Sequence, residues 1–106
     1  MGKEQRKLKR IQFDSPVHVT LLNERNAIVS VVKGEGRLND LSASGCAFHI
    51  GRRIDRGDRV ELRIVLNEGL AKKYNQSELT VRGDVVRVSA QPDRGFLVSV
   101  KFWIDR

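Results

Sequence analysis

Two short runs in this 106-residue chain have the side chains to hold a ligand. The first is Gln5-Arg6-Lys7-Leu8-Lys9-Arg10, with Arg6 and Arg10 spaced as R-x-x-x-R. The second is Asn39-Asp40-Leu41-Ser42-Ala43-Ser44-Gly45, in which Asp40, Ser42 and Gly45 fit D/N-x-S-x-x-G. A planar guanidinium presents two parallel N–H donors, which match the O6 and N7 edge of guanine or a pair of phosphate oxygens. Asp40 offers the complementary acceptors for N1–H and N2–H on the other edge of the base, so a guanine held on both edges is distinguished from adenine. Ser42 adds a small hydroxyl suited to a phosphate or a base edge, and Gly45 supplies freedom for a tight turn or a close approach. Together these residues describe a clamp for a guanine-bearing phosphate.

The clamp needs elements to position it, and the sequence supplies strands. Val17, Val19 and Leu21 alternate with His18 and Thr20; Val60, Leu62, Ile64 and Leu66 alternate with Glu61, Arg63 and Val65; Phe96, Val98, Val100 and Phe102 alternate with Leu97, Ser99 and Lys101. That period of two places one face inside and one in water. The runs from Val29 to Asp40, Gly45 to Ile50 and Leu79 to Ser89 also read as strands. Turn residues separate them: Asn23 to Asn26, Ile54 to Asp58, and Gln91-Pro92-Asp93-Arg94-Gly95. Asn67 to Ser77 is the least strand-like stretch and forms a turn of helix or a polar loop; no run of ten or more residues has a helical apolar period. Gly34 and Gly36, within a strand-like run, mark a bulge or bend. The expectation is an all-β fold: a small antiparallel β-barrel of about six strands, whose closure hides the sheet edges. Residues 1–12 form a flexible basic arm and residues 13–106 a single barrel domain.

Charge and composition narrow the partners. The chain has 20 basic and 13 acidic side chains, a net charge of +7. Lys3, Arg6, Lys7, Lys9 and Arg10 against Glu4 place +4 of it in the first ten residues. An anionic partner is expected there. No apolar run is long enough to cross a bilayer and the start lacks the pattern of a leader, so membrane insertion is not expected and the expected location is the cytoplasm. The single cysteine, Cys46, reads as a small core residue without an identifiable base. His18 and His49 stand apart, each in a strand, with no cluster of metal ligands around them. Neither catalysis, a metal nor a cofactor is expected.

R-x-x-x-R alone says little in a chain with 13 arginines, and it recurs at Arg52/Arg56 and Arg59/Arg63. Those copies fall in a turn-rich connection and on the polar face of a strand, whereas Arg6/Arg10 stands where alternation gives it no structural role. The serine motif occurs once, and as bare turn chemistry it reads as Asp40 and Ser42 bonding to nearby backbone while Gly45 takes a positive φ. The order decides between these readings. A basic R-x-x-x-R arm, a first strand, the serine motif at a strand junction, then Gly57-Asp58-Arg59-Val60 opening a strand, resembles PilZ domains over nearly the whole chain.

The resemblance implies a receptor for cyclic di-GMP. Arg6 and Arg10 would grip guanine edges and phosphates, Asp40 would read the guanine, Ser42 would bond to phosphate or base, and Gly45 would keep the strand entry open to the ligand. Gln5 and Asn39 are accessory candidates, Gln5 because its position bears on whether one nucleotide or a stacked pair is held. The expected mechanism is ordering of the arm by ligand, read by a downstream protein, from a monomer or a dimer. Two rivals are a small basic barrel that binds nucleic acid through its arm, disfavoured by an aromatic content of only 6%, and an interaction adaptor that keeps the fold without the ligand.

Overall fold

The computed structural model describes residues 14–103, so the expectations placed on Gln5, Arg6 and Arg10 lie outside the described residues. Seven strands follow in order: β1 (Pro16–Leu22), β2 (Ile28–Val31), β3 (Gly36–Leu41), β4 (Gly45–Ile50), β5 (Arg59–Val65), then helix α1 (Glu68–Tyr74), β6 (Glu78–Gln91) and β7 (Gly95–Phe102). They form one antiparallel sheet in the order β2-β1-β3-β4-β7-β6-β5, and a further β1–β5 pairing closes it. The result is a closed barrel of six strands with β2 as an added strand. This is the expected all-β architecture.

The alternation read from sequence supplies the core. Val17 and Val19 of β1, Phe48 of β4, Val60, Leu62 and Ile64 of β5, and Val98 of β7 have no exposed surface. Removing each such side chain from water contributes about 1.5–3 kcal/mol. Cys46 also faces inward, at 7% exposure. Alternation fails at the end of β1, where Leu22 rather than Leu21 is buried; beside it the pairing with β2 is irregular, Val29 of β2 being skipped between the Leu21–Ser30 and Leu22–Ile28 pairs.

One segment differs from the sequence expectation and a second is decided between its two alternatives. Val29 to Asp40 is not one strand but two, β2 and β3, separated by a turn in which Gly34 takes φ 93°. Apolar content cannot show that break, because Val29, Val31 and Val32 are strand formers on either reading. Asn67 to Ser77 resolves to the helix. Asn67 caps it by accepting from the Leu70 N–H at 2.9 Å, Asn75 ends it in the left-handed region, and Leu70 is its buried anchor. β6 is long because it serves two partners, pairing with β5 from Glu78 to Asp84 and with β7 from Gly83 to Gln91.

Candidate functional site

The serine motif occupies the β3–β4 hairpin, and its geometry begins with a bulge. Arg37 pairs with His49 and Leu38 with Phe48, but the next pair is Asp40 with Ala47. Asn39 is therefore the extra residue. In β3 the even positions Gly36 and Leu38 are buried, so an uninterrupted strand would aim Asp40 into the core. The bulge advances the phase by one residue. Leu41 then turns inward opposite Cys46, and Asp40 is exposed. The Asp40 side chain has no hydrogen bond or ion pair among the described residues, leaving its carboxylate open to solvent.

The turn that follows is held by Ser42. Its N–H donates to the Gly45 carbonyl at 2.9 Å. Its hydroxyl donates to the same carbonyl at 3.3 Å and accepts from the Ser44 N–H at 3.3 Å. The Ser44 hydroxyl lies 3.3 Å from that of Ser42. These side-chain bonds are long, so the Ser42 proton is weakly committed. The tip is also tied to the barrel, since the Phe102 N–H donates to the Ser44 carbonyl at 2.9 Å. Ser44 was not singled out from sequence, although its place two residues after Ser42 is the spacing of a serine turn.

Gly45 is required here for a reason other than turn conformation. The positive-φ glycines are Gly34, Gly57 and Gly95, not Gly45, which corrects the turn-chemistry expectation. A Cβ on Gly45 would stand 2.3 Å from the Val100 carbonyl oxygen. Its hydrogen side chain lets β7 approach β4 at the root of the hairpin. Gly83 plays the same part on the other side of β7, where a Cβ would stand 2.3 Å from the Lys101 carbonyl oxygen.

Asp40 is felt in the core behind it. The Cys46 thiol is pushed from 9.0 up to about 12, chiefly by burial and further by the Asp40 charge. A thiol held neutral in this way is not a ready nucleophile. Among the described residues no group of three or more His, Cys, Asp or Glu is gathered to hold a metal ion. His18 Nε2 lies 3.9 Å from Glu35, while His49 is paired across the hairpin with Arg37.

The later arginines have local partners. Arg59 Nη1 donates to the Glu24 carbonyl at 2.7 Å and Arg63 to Glu78 at 2.9 Å, so the Arg59/Arg63 copy ties β5 to the β1–β2 turn and to β6. Trp103 is half-buried and donates Nε1–H to Asp84 at 3.0 Å. A cavity of about 380 Å³ lies by Arg53, Arg56, Val88 and Phe96, near the opposite end of β4 from the serine motif.

The first described residues lie against this same hairpin. Ser15 is buried, and its carbonyl accepts from the Leu38 N–H at 2.8 Å. The Asp14 carbonyl accepts from Arg37 Nη1 at 3.4 Å. Because β1 runs antiparallel to β3, with Pro16 opposite Arg37 and Val17 opposite Gly36, the steps back from Pro16 to Ser15 and Asp14 run along β3 in the direction of Asp40.

A closed six-stranded barrel whose exposed acid and serine share one hairpin, entered by the chain beside that hairpin, defines a small β-barrel binding domain. The chain matches the PilZ domain family over residues 4–105, and it belongs to that family. Membership implies cyclic di-GMP receptor function in general, in a class of binding and adaptor domains. No curated protein and no solved structure matches the chain. No helix among the described residues is long and apolar enough to cross a membrane.

Proposed function

We propose that this chain is a cyclic di-GMP receptor that closes its arm over the nucleotide and passes the change to a partner protein. The observation that carries the reading is the junction at Ser15. Its bond to Leu38 roots the arm on β3, two residues from Asp40. From Asp14, the four residues back to Arg10 span at most about 14 Å and the eight back to Arg6 about 28 Å, a reach that covers the hairpin.

In this reading each residue does what its chemistry allows. Asp40, exposed and uncommitted among the described residues, accepts from the N1–H and N2–H of a guanine. Ser42 redirects its weakly held proton to a phosphate or base edge. Arg6 and Arg10 supply the charge-assisted bonds to phosphate oxygens and to guanine O6 and N7. Gln5 flanks that pair and bears on stoichiometry. Asn39 serves by forming the bulge that turns Asp40 outward, and Gly45 by bringing β7 under the turn. The bonds gained offset the entropy of ordering the arm, and the rearranged surface is what the partner reads.

The test is isothermal titration with cyclic di-GMP, with cyclic di-AMP and GTP as controls, on the native chain and on Arg10→Ala and Asp40→Ala. Selective binding weakened at least about tenfold by either substitution is expected, the loss of a charge-assisted bond being worth roughly 1.5–3 kcal/mol. No heat at about 100 µM nucleotide would reject the receptor reading. Limited proteolysis isolates the arm: cleavage before residue 14 at the same rate with and without saturating nucleotide would reject arm closure while leaving binding intact.

A further inference from the structure

The bulge that turns Asp40 outward has a counterpart on β6. Leu79, Val81 and Val85 face the core from the odd positions of that strand, so an uninterrupted β6 would aim Arg87 inward as well. The pairing with β7 skips Val86, passing from Val85–Val100 to Arg87–Ser99. From there Val88 packs on the core, and Arg87 is exposed. Bulges re-aim side chains and are common beside functional sites. These two re-aim an acid and a base, and they do so at the two ends of one row: Asp40 pairs with Ala47, Ala47 with Ser99, and Ser99 with Arg87.

That row crosses the outer face of β3, β4, β7 and β6. The inward neighbours Phe48 and Val98 have no exposed surface, which puts Ala47 and Ser99 on the outside. Strands stand about 4.8 Å apart, so Asp40 and Arg87 are about 14 Å apart along the barrel surface. Between them the floor is a methyl group and a hydroxymethyl group. Two residues along each strand, Gly45 pairs with Lys101 on one side of this floor and His49 with Leu97 on the other. The Arg87 and Lys101 side chains have no hydrogen bond or ion pair among the described residues. Asp84, across from Lys101 on β6, accepts instead from Trp103. An acid, two uncommitted cations and a low floor between them form a trough continuous with the hairpin that carries Ser42.

We propose, given the cyclic di-GMP reading above, that the nucleotide lies along this trough and that Arg87 reads its second guanine. The ligand carries two identical bases joined through two phosphates, whereas Asp40 and the arm account for one base. A guanine at the far end of the trough presents O6 and N7 to the Arg87 fork, a pattern that adenine breaks by carrying an amino donor in place of O6. Lys101, next to Ser99 on the outer face of β7, meets a phosphate as a point charge. The two guanines are then read from opposite ends of one row, each end made available by its own bulge.

Isothermal titration with cyclic di-GMP and with the 3′,3′-linked hybrid cyclic GMP–AMP tests this on the native chain and on Arg87→Ala, Arg87→Lys and Lys101→Ala, all at exposed positions. The native chain is expected to prefer cyclic di-GMP at least about tenfold, through the bidentate contact of arginine to guanine. Arg87→Ala is expected to weaken cyclic di-GMP at least about fivefold and to leave the hybrid nearly unchanged, so that the preference falls to about twofold, the advantage of offering two guanines to one clamp. Arg87→Lys keeps the charge without the fork and is expected to lose the preference too. Lys101→Ala is expected to weaken both ligands alike, and unchanged affinity for both would remove Lys101 from the site. Thermal unfolding of each variant confirms that the barrel persists. Native binding with the preference intact in Arg87→Ala overturns the assignment of Arg87 and leaves the receptor reading standing, as does equal weakening of both ligands, which would reduce Arg87 to a charge. No heat from the native chain at about 100 µM cyclic di-GMP would reject the receptor reading and this one with it.

Discussion

Gly45→Ala separates two explanations of a motif glycine, service to the ligand and service to the strand pair. The added methyl would stand 2.3 Å from the Val100 carbonyl oxygen, a backbone atom that cannot swing aside, so β4 and β7 must part by at least 0.7 Å to reach 3.0 Å. That parting falls on the Gly45–Lys101 and Cys46–Val100 pairs and on the bond from Phe102 to Ser44. Overpacking costs roughly 1–3 kcal/mol, and one weakened ladder bond about 1 kcal/mol more. Loss of glycine's freedom in the unfolded chain returns about 0.4–1 kcal/mol. The net expectation is a loss of about 2–3 kcal/mol, seen as a melting point lower by roughly 10–20 °C for a domain of this size. Urea unfolding of Gly45→Ala beside Gly51→Ala, where a Cβ meets nothing within 4 Å, gives the measurement. The control should stay within about 0.5 kcal/mol of the native chain. A Gly45→Ala chain as stable as that control would refute the argument and return the glycine to the ligand.

Other consequences are open to direct measurement. Asn67→Ala removes the side chain that accepts from the Leu70 N–H and should cost about 1 kcal/mol, with Asn67→Asp retaining most of it; thermal unfolding of both variants decides. The Cys46 thiol, at 9.0 ordinarily and about 12 when folded, stays protonated in the native chain while the unfolded chain loses its proton. Its contribution is therefore fully present below pH 9.0 and drains away as pH rises toward about 12. The slope approaches about 1.4 kcal/mol per pH unit. Urea midpoints of the native chain and Cys46→Ala across that range should diverge, and parallel curves would count against the assignment.

The barrel was legible because burial imposes a period of two, and Val17, Val19, Val60, Leu62 and Ile64 keep that period through β1 and β5. The helix was half legible. Asn67 is a good cap and Leu70 an anchor, but a seven-residue segment is too short for a helical apolar stripe to declare itself. The division of Val29 to Asp40 was hidden because valine carries the same strand preference on both sides of Lys33-Gly34. For the candidate site, the motif located the hairpin. What it could not show is that Asp40 faces solvent only because Asn39 bulges out, since a bulge depends on how β3 meets β4 rather than on either strand alone. The task of Gly45 was hidden for a similar reason. The atom it avoids belongs to Val100, fifty-five positions away in the chain.

The order of the strands also fixes when the barrel can form. β4 pairs with β3 on one side and with β7 on the other, and β7 begins at Gly95. The β3–β4 hairpin can assemble from near neighbours, but its second flank must wait until the last strand has been made. The seam between β1 and β5 likewise joins Val17 to Ile64. Partners this distant in sequence raise contact order and slow folding to about the millisecond-to-second range. During synthesis, Phe48 and Val19 therefore face water until β7 arrives, and the interval before that moment is when this chain is most exposed to misassociation.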